Sequence, residues 1–327
     1  MNITRRSLLL GTAGTLGVVA LAGCGDDAGS GDKDKITVGY IADGNGATLV
    51  TVADKQGLWE KHGLEVETKV FTNGPLQVTA LGTGDIDFGY VGPGALWLPM
   101  KGDASIVSLN SLGTSDRVIA QPGITTVEDL KGKTVGVPEG TSGDMLLNLA
   151  LEKSGMTVDD IKRTPMDAPA AISAFTAGQI DAAAIWYPHV ETIKAQVPDL
   201  VEVVKSADFP EIAFPAAQVA GPKIAEEKPE ILKKFQAVVK EALQWAADNR
   251  DELVTELASF LDAPADSLKS EQEFVEYLTP EKLTDYIEDG TAKTWLETLN
   301  EQFIKAGKVD VTGDPDKYFL SKEYVEA

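Results

Sequence analysis

Residues 80–93 read "ALGTGDIDFGYVGP", and residues 174–188 read "AFTAGQIDAAAIWYP". The two phrases align. Ala80 matches Ala174, Gly84 matches Gly178, Ile86 and Asp87 match Ile180 and Asp181, and Val91 matches Ile185. Each describes one physical object: a helix end, a glycine that stops it, and a buried strand entering a sheet. A unit that occurs twice predicts two halves built alike.

The flanking sequence repeats the order of elements. "ITVGYIA" (36–42) reads as a strand, "DGNGA" (43–47) as a turn, and "TLVTVADKQGLWEKHG" (48–63) as a helix stopped by Gly63. "LEVETKVF" (64–71) alternates like a strand, and "NGPLQVTALGTG" (73–84) opens with an Asn cap and Pro. In the second half, "KTVGVP" (133–138) is a strand, a helix begins near Thr141 or Ser142, and "LVEVVKS" (200–206) is a further strand. Strands spaced by helices imply parallel βαβ units and an α/β fold. From Lys223 the chain reads as mostly helical, with "LSKEYVEA" (320–327) as a loosely held tail.

The chain has 327 residues and a formal charge of −22, with 43% hydrophobic residues. That content supplies a sizeable core. The acidic balance, with no Lys/Arg cluster, argues against nucleic acid as a partner. Cys24 is the only cysteine, so no disulfide within the chain, cysteine nucleophile or Cys-based metal site is implied. No Walker loop or His/Cys cluster is present, and no cofactor is implied.

The first residues, "MNITRRSLLLGTAGTLGVVALAGC", read as an export signal over residues 1–23. Leu21-Ala22-Gly23-Cys24 resembles a bacterial lipobox, which implies lipidation at Cys24 and a tether over 24–35. Thr4-Arg5-Arg6-Ser7-Leu8-Leu9 also resembles a twin-arginine motif, so both export routes stay open. The expected location is outside the cytoplasmic membrane, held on its outer face by lipid.

The phrases "ADKQGLWEKHGLEVE" (53–67), "GDIDFGYVGPG" (84–94), "VEDLKGKTVGVPEGTS" (127–142) and "AFTAGQIDAAAIWYP" (174–188) together resemble the substrate-binding proteins of bacterial ABC importers, specifically the nitrate/sulfonate/taurine group. The resemblance implies a two-lobed, type II periplasmic-binding-protein fold that closes on one small ligand and delivers it, as a monomer, to a membrane permease. Lobe 1 is then expected over 36–115 and lobe 2 over 116–220. Residues 221–327 return to lobe 1, with the C-terminal helices packing on it. Crossings are expected in "SLGTSDRV" (111–118) and "FPAAQVAGP" (214–222).

Ligands of open α/β sheets bind beyond the carboxyl ends of strands. The candidate lining residues are therefore Asp43, Asn45 and Gly46, then Asn73 and Gly74, then Gly92 and Pro93. Asp116, Thr141, Ser142, Trp186, Tyr187 and Phe214 complete the set from the other turns. Free N–H groups at helix starts suit a sulfonate. Asn73, Thr141 and Ser142 serve equally well as N-caps, and the two roles are compatible. Asp43, Asp116, Glu139 and Asp144 crowd these turns, with Arg117 the one nearby base. That balance favours a zwitterion carrying an ammonium, such as taurine or a related amino-sulfonate. The alternative is a pyrimidine-precursor (thiamine pathway) binding protein, or an enzyme of the same fold. An enzyme would want His near the cleft, whereas His62 and His189 are expected to be solvated. Asp87 and Asp181 read as structural, because both sit at the start of buried strands.

Overall fold

The computed structural model describes residues 33–327. The expected export signal, Cys24 and most of the tether lie outside the described residues. Asp34 and Lys35, assigned to the tether by sequence, instead open the first strand.

The first lobe runs through β1 (Asp34–Ile41), α1 (Gly44–Lys55), α2 (Leu58–Lys61), β2 (Leu64–Phe71), α3 (Gly74–Thr83), β3 (Phe88–Val91), α4 (Trp97–Lys101) and β4 (Ser105–Gly113). The second lobe holds β5 (Asp116–Ala120), β6 (Thr134–Val137), α5 (Ser142–Lys153), β7 (Lys162–Pro165), α6 (Ala168–Thr176), β8 (Ala182–Trp186), α7 (His189–Lys194) and β9 (Val201–Lys205). The chain then returns with β10 (Pro215–Ala220). The remaining elements are α8 (Ile224–Glu227), α9 (Pro229–Asp248), α10 (Arg250–Leu261), α11 (Ala265–Gln272), β11 (Val275–Tyr277), α12 (Pro280–Glu288), α13 (Thr291–Lys305) and α14 (Ser321–Glu326).

Two sheets result. The first has six strands in the order β11-β4-β10-β3-β1-β2, and the second has five in the order β7-β6-β8-β5-β9. In each, the early strands pair in parallel, while the strands next to a crossing pair antiparallel. The first crossing lies between Gly113 and Asp116, within the expected segment. The second falls earlier than expected, because β10 already pairs with β3 and β4 of the first sheet. Lobe 2 therefore ends before Pro215, and not at residue 220. "PAAQVA" is buried at every position, so its pattern marks a strand without saying which sheet receives it.

The aromatic centre of the first lobe is Phe235 of α9, stacked on Phe88 at 3.8 Å and on Trp59 at 6.2 Å. The buried face of α9 follows helical spacing: Leu232, Phe235, Val239, Leu243 and Ala246. The second lobe packs α6 and α7 on its sheet through Phe175, Ile185, Val190 and Ile193. The C-terminal tail is not loose. Tyr324 is fully buried, Lys240 Nζ sits 4.7 Å above its ring, and the same amine donates to the Ala327 carbonyl at 2.9 Å. No helix among the described residues is long and apolar enough to cross a membrane.

Candidate functional site

A cavity of about 50 Å³ lies where the strand ends of the two sheets face each other. Asp43, Asn45, Asn73, Gly74, Gly92 and Pro93 line it from the first lobe. Asp116, Thr141, Ser142 and Trp186 line it from the second, and Phe214 lines it from the crossing. Gly46 and Tyr187 do not. The structure adds Tyr90, Ser115 and Glu271, which sequence reasoning missed. Among these lining residues there is no lysine or arginine.

Gly46 instead lies packed against Ile41 and the Asp43 carboxyl. Asp43 is the N-cap of α1 and accepts from Gly46 N at 2.7 Å. Glu271, arriving from α11, accepts from Gly44 N at 2.7 Å and Asn45 N at 2.9 Å. The first N–H groups of α1 are thus held by the protein's own carboxylates and offer no anion cradle. Thr48 and Tyr277 join hydroxyls behind this cap at 2.7 Å.

Strand alternation explains Tyr187. Asp116 on β5 is paired directly with Trp186 on β8, and both face the cavity. Their neighbours Arg117 and Tyr187 point to the other side. There Arg117 bonds Glu202 at 2.7 Å and lies against the rings of Tyr187 and Phe274 at 5.1 and 4.6 Å. Tyr187 donates to Glu202 at 3.0 Å. The one expected base is therefore committed elsewhere.

The N-termini of α3 and α5 differ from that of α1. Asn73 caps α3 by accepting from Leu76 N at 3.0 Å. Thr141 does not cap α5: its hydroxyl donates to the Pro138 carbonyl at 2.6 Å, and no side chain caps that helix. The start of α5 thus keeps N–H groups for the cleft. It also meets the first lobe directly, since a Cβ on Gly94 would stand 2.0 Å from the Thr141 carbonyl oxygen.

Three acids share this small space. Burial pushes Asp116 up to about 7, with the Ser142 hydroxyl and Arg117 opposing and Asp43 adding repulsion. Burial pushes Asp43 up to about 6 against the Gly46 and Trp186 hydrogen bonds. Burial and Asp43 hold Glu271 well above the usual carboxylate range. Asp116 Oδ1 is buried and has no hydrogen-bond partner. His189 is half-buried: it sits edge-on to Trp186 at 5.3 Å, and partial burial lowers it to about 4. His62 bonds Glu241 at 2.8 Å and does not line this cavity. No group of three metal-ligating side chains occurs among the described residues.

Neither Asp87 nor Asp181 lines this cavity. Each accepts from the parallel strand beside its own: Thr37 N of β1 at 2.9 Å for Asp87, and Thr134 N of β6 at 2.7 Å for Asp181. Their own N–H groups return bonds to the Thr37 and Thr134 carbonyls at 2.8 and 2.9 Å. The repeated phrase is one reciprocal lock, built twice.

Comparison with known proteins agrees with this geometry. A Brucella abortus (strain 2308) protein, named no further than as a binding protein, is 48% identical over 89% of this chain and 91% of its own length. The taurine-binding periplasmic protein of Escherichia coli (strain K12) is 26% identical over 89% of this chain and 92% of its own. The crystal structure of the periplasmic aliphatic sulphonate binding protein of Escherichia coli superposes with a TM-score of 0.68. It covers 89% of this chain and 99% of that one at 22% identity, which establishes the periplasmic-binding-protein fold. A model of the NMT1/THI5-like family matches residues 45–253, and the chain belongs to that family.

Proposed function

We propose that this chain is the extracytoplasmic solute-binding component of an ABC importer, and that it captures a small amino-sulfonate, taurine or a close relative, between its lobes. The observation that carries the reading is Asp116 Oδ1, a buried acceptor without a partner in a cavity that no lysine or arginine lines. A buried carboxylate in that position calls for a cationic partner. The ligand's ammonium meets Asp116, and its sulfonate meets N–H groups at the start of α5. Relatives named for taurine and for aliphatic sulfonates support the same class. The role is binding rather than catalysis, as the names of the relatives also have it. Lipidation at Cys24 would hold the protein as a monomer on the outer face of the membrane, beside its permease.

A second reading rests on the aromatic walls Tyr90, Trp186 and Phe214. They suit a flat amino-heterocycle of the pyrimidine-precursor type, whose ring nitrogen and amine pair with a carboxyl. Titration calorimetry against taurine, propanesulfonate, nitrate and an aminopyrimidine separates the two. Taurine should bind while propanesulfonate, lacking the amine, binds at least about a hundredfold more weakly. Silence with taurine and heat with the aminopyrimidine would replace the first reading by the second.

A further inference from the structure

A cluster of charges away from the cavity joins the two lobes. Asp144 stands in the first turn of α5 and is only 1% exposed. Within its own lobe it accepts from Gly140 N at 2.8 Å, Asn148 Nδ2 at 3.1 Å and Arg163 at 2.8 Å. Arg163 also pairs with Glu139 at 3.0 Å. One partner comes from elsewhere: Lys308 Nζ, just past the end of α13, lies 3.2 Å from Asp144 Oδ2. The α13 segment belongs with the first lobe. Asn300 of that helix touches Met100 at the end of α4 and accepts from Gly313 N at 3.0 Å. Phe319 bridges to Ile106 of β4.

We propose that Lys308 is a positioning residue for ligand capture, clasping the first lobe to the helix whose N-terminus lines the cleft. The inference rests on the reading that the cleft between the lobes holds the ligand. When the lobes part, Gly140, Asn148, Arg163 and Glu139 stay with Asp144 while Lys308 leaves. The Lys308–Asp144 attraction is therefore present only in the closed form, and it shifts the equilibrium toward closure by its full value. Without Lys308, two carboxylates of that cluster face one guanidinium, so opening leaves a net negative charge on α5. The pair borders a cavity of about 450 Å³ between α5 and α13, which Gly94 and Thr141 also line. It thus stands beside a place where the lobes pack too tightly for a Cβ on Gly94. A neighbouring pair, Lys305–Glu152 at 3.0 Å, spans the same two helices but is half exposed on both sides. Solvent screens it, and it contributes little.

The test uses Lys308→Met, Lys308→Arg and, as control, Lys305→Met. Spin labels at Val70→Cys and Gln196→Cys, exposed positions on the two lobes, report lobe separation in a Cys24→Ser chain. With taurine as probe, Lys308→Met should speed dissociation roughly three- to tenfold and leave association unchanged. Lys308→Arg should restore most of the loss, and Lys305→Met should stay within about twofold of the parent. Raising the salt concentration should narrow the difference between Lys308→Met and the parent only slightly, because Asp144 is buried and screening acts mainly on exposed pairs. Equal dissociation rates for Lys308→Met and the parent at low salt would overturn the clasp. If taurine fails to bind the parent, the amino-sulfonate reading falls, and the ligand-free distances decide the clasp alone. A longer mean separation in Lys308→Met supports it, and an unchanged distribution sinks it.

Discussion

Trp186 donates its indole N–H to Asp43 Oδ2 at 3.0 Å, so a strand end of one lobe is tied to the first helix cap of the other. Asp43 carries two duties through its two oxygens: Oδ1 caps α1 through Gly46 N, and Oδ2 receives Trp186. On the proposed reading of a closing cleft, parting the lobes breaks this bond. It therefore reports closure directly and favours it.

Trp186→Phe keeps an aromatic wall and removes the donor. A buried carboxylate oxygen loses its partner, at a cost of about 1–3 kcal/mol in the closed state. Taurine affinity should fall by roughly tenfold or more, with most of the change in the dissociation rate. Calorimetry on the variant checks this; an unchanged affinity would mean that the bond is incidental to closure.

The acids make a pH prediction with a definite sign. Asp43 at about 6 and Asp116 at about 7 stand above their ordinary value of 3.8. The folded protein holds these protons more tightly than the unfolded chain does. Their contribution to stability is full below 3.8 and is lost as pH rises through 6 and 7. The ligand-free protein should therefore melt at lower temperature at about pH 8 than at about pH 5. An ammonium ligand works the other way, because it favours the ionised carboxylates and expels their protons. Taurine affinity should rise over the same interval. Binding heats at about pH 7 should differ between phosphate and Tris by the ionisation of the released proton. Identical heats in the two buffers would show that no proton leaves and that the ligand's charge does not meet these acids.

Much of the cleft was legible because turns at strand ends announce themselves. Asn73-Gly74, Gly92-Pro93 and Thr141-Ser142 are punctuation, and the two sheets bring all of them to one cavity. Glu271 was not legible. It is one acid among many in a helical region, and only the tertiary fold carries it 227 residues back to Gly44. The strands missed by sequence, β7 and β11, lie at sheet edges. "KRTP" and "VEY" are short and charged, as edges are, and lack the apolar run that marks a central strand. Tyr187 failed for a different reason: the position was right, but alternation sends its ring to the far side of the sheet.

The paired aspartates offer a contrast between stability and function. Asp87→Ala or Asp181→Ala removes the acceptor for a strand N–H, and Asp87 also loses Lys228 at 2.7 Å. Each change should cost about 1–3 kcal/mol of folding stability. Taurine affinity should stay within about twofold, because neither carboxylate faces the cavity. Denaturant melts and calorimetry on the same preparations decide it. A loss of affinity without a loss of stability would return these residues to the site.

The tight packing of Gly94 against the second lobe gives the sharpest substitution. Gly94 faces the Thr141 carbonyl so tightly that an added Cβ would stand 2.0 Å from its oxygen and 2.3 Å from Ser142 N. Both opposing atoms are backbone, so no rotamer change relieves the clash. They belong to the second lobe, whereas Gly94 belongs to the first. Rigid-body opening is thus the cheapest relief, and it leaves each lobe's own core intact. Gly94→Ala should therefore fold with a melting temperature near that of the parent, yet remain open. Small-angle scattering should show no compaction on adding taurine, and affinity should drop by about a hundredfold or more, since the second lobe's contacts are lost. The neighbouring Gly92, where an added Cβ would stand 3.8 Å from Ser142 Oγ, is the matched control. Gly92→Ala should close normally, and compaction of Gly94→Ala to the same extent would refute the assignment of this contact as the limit of closure.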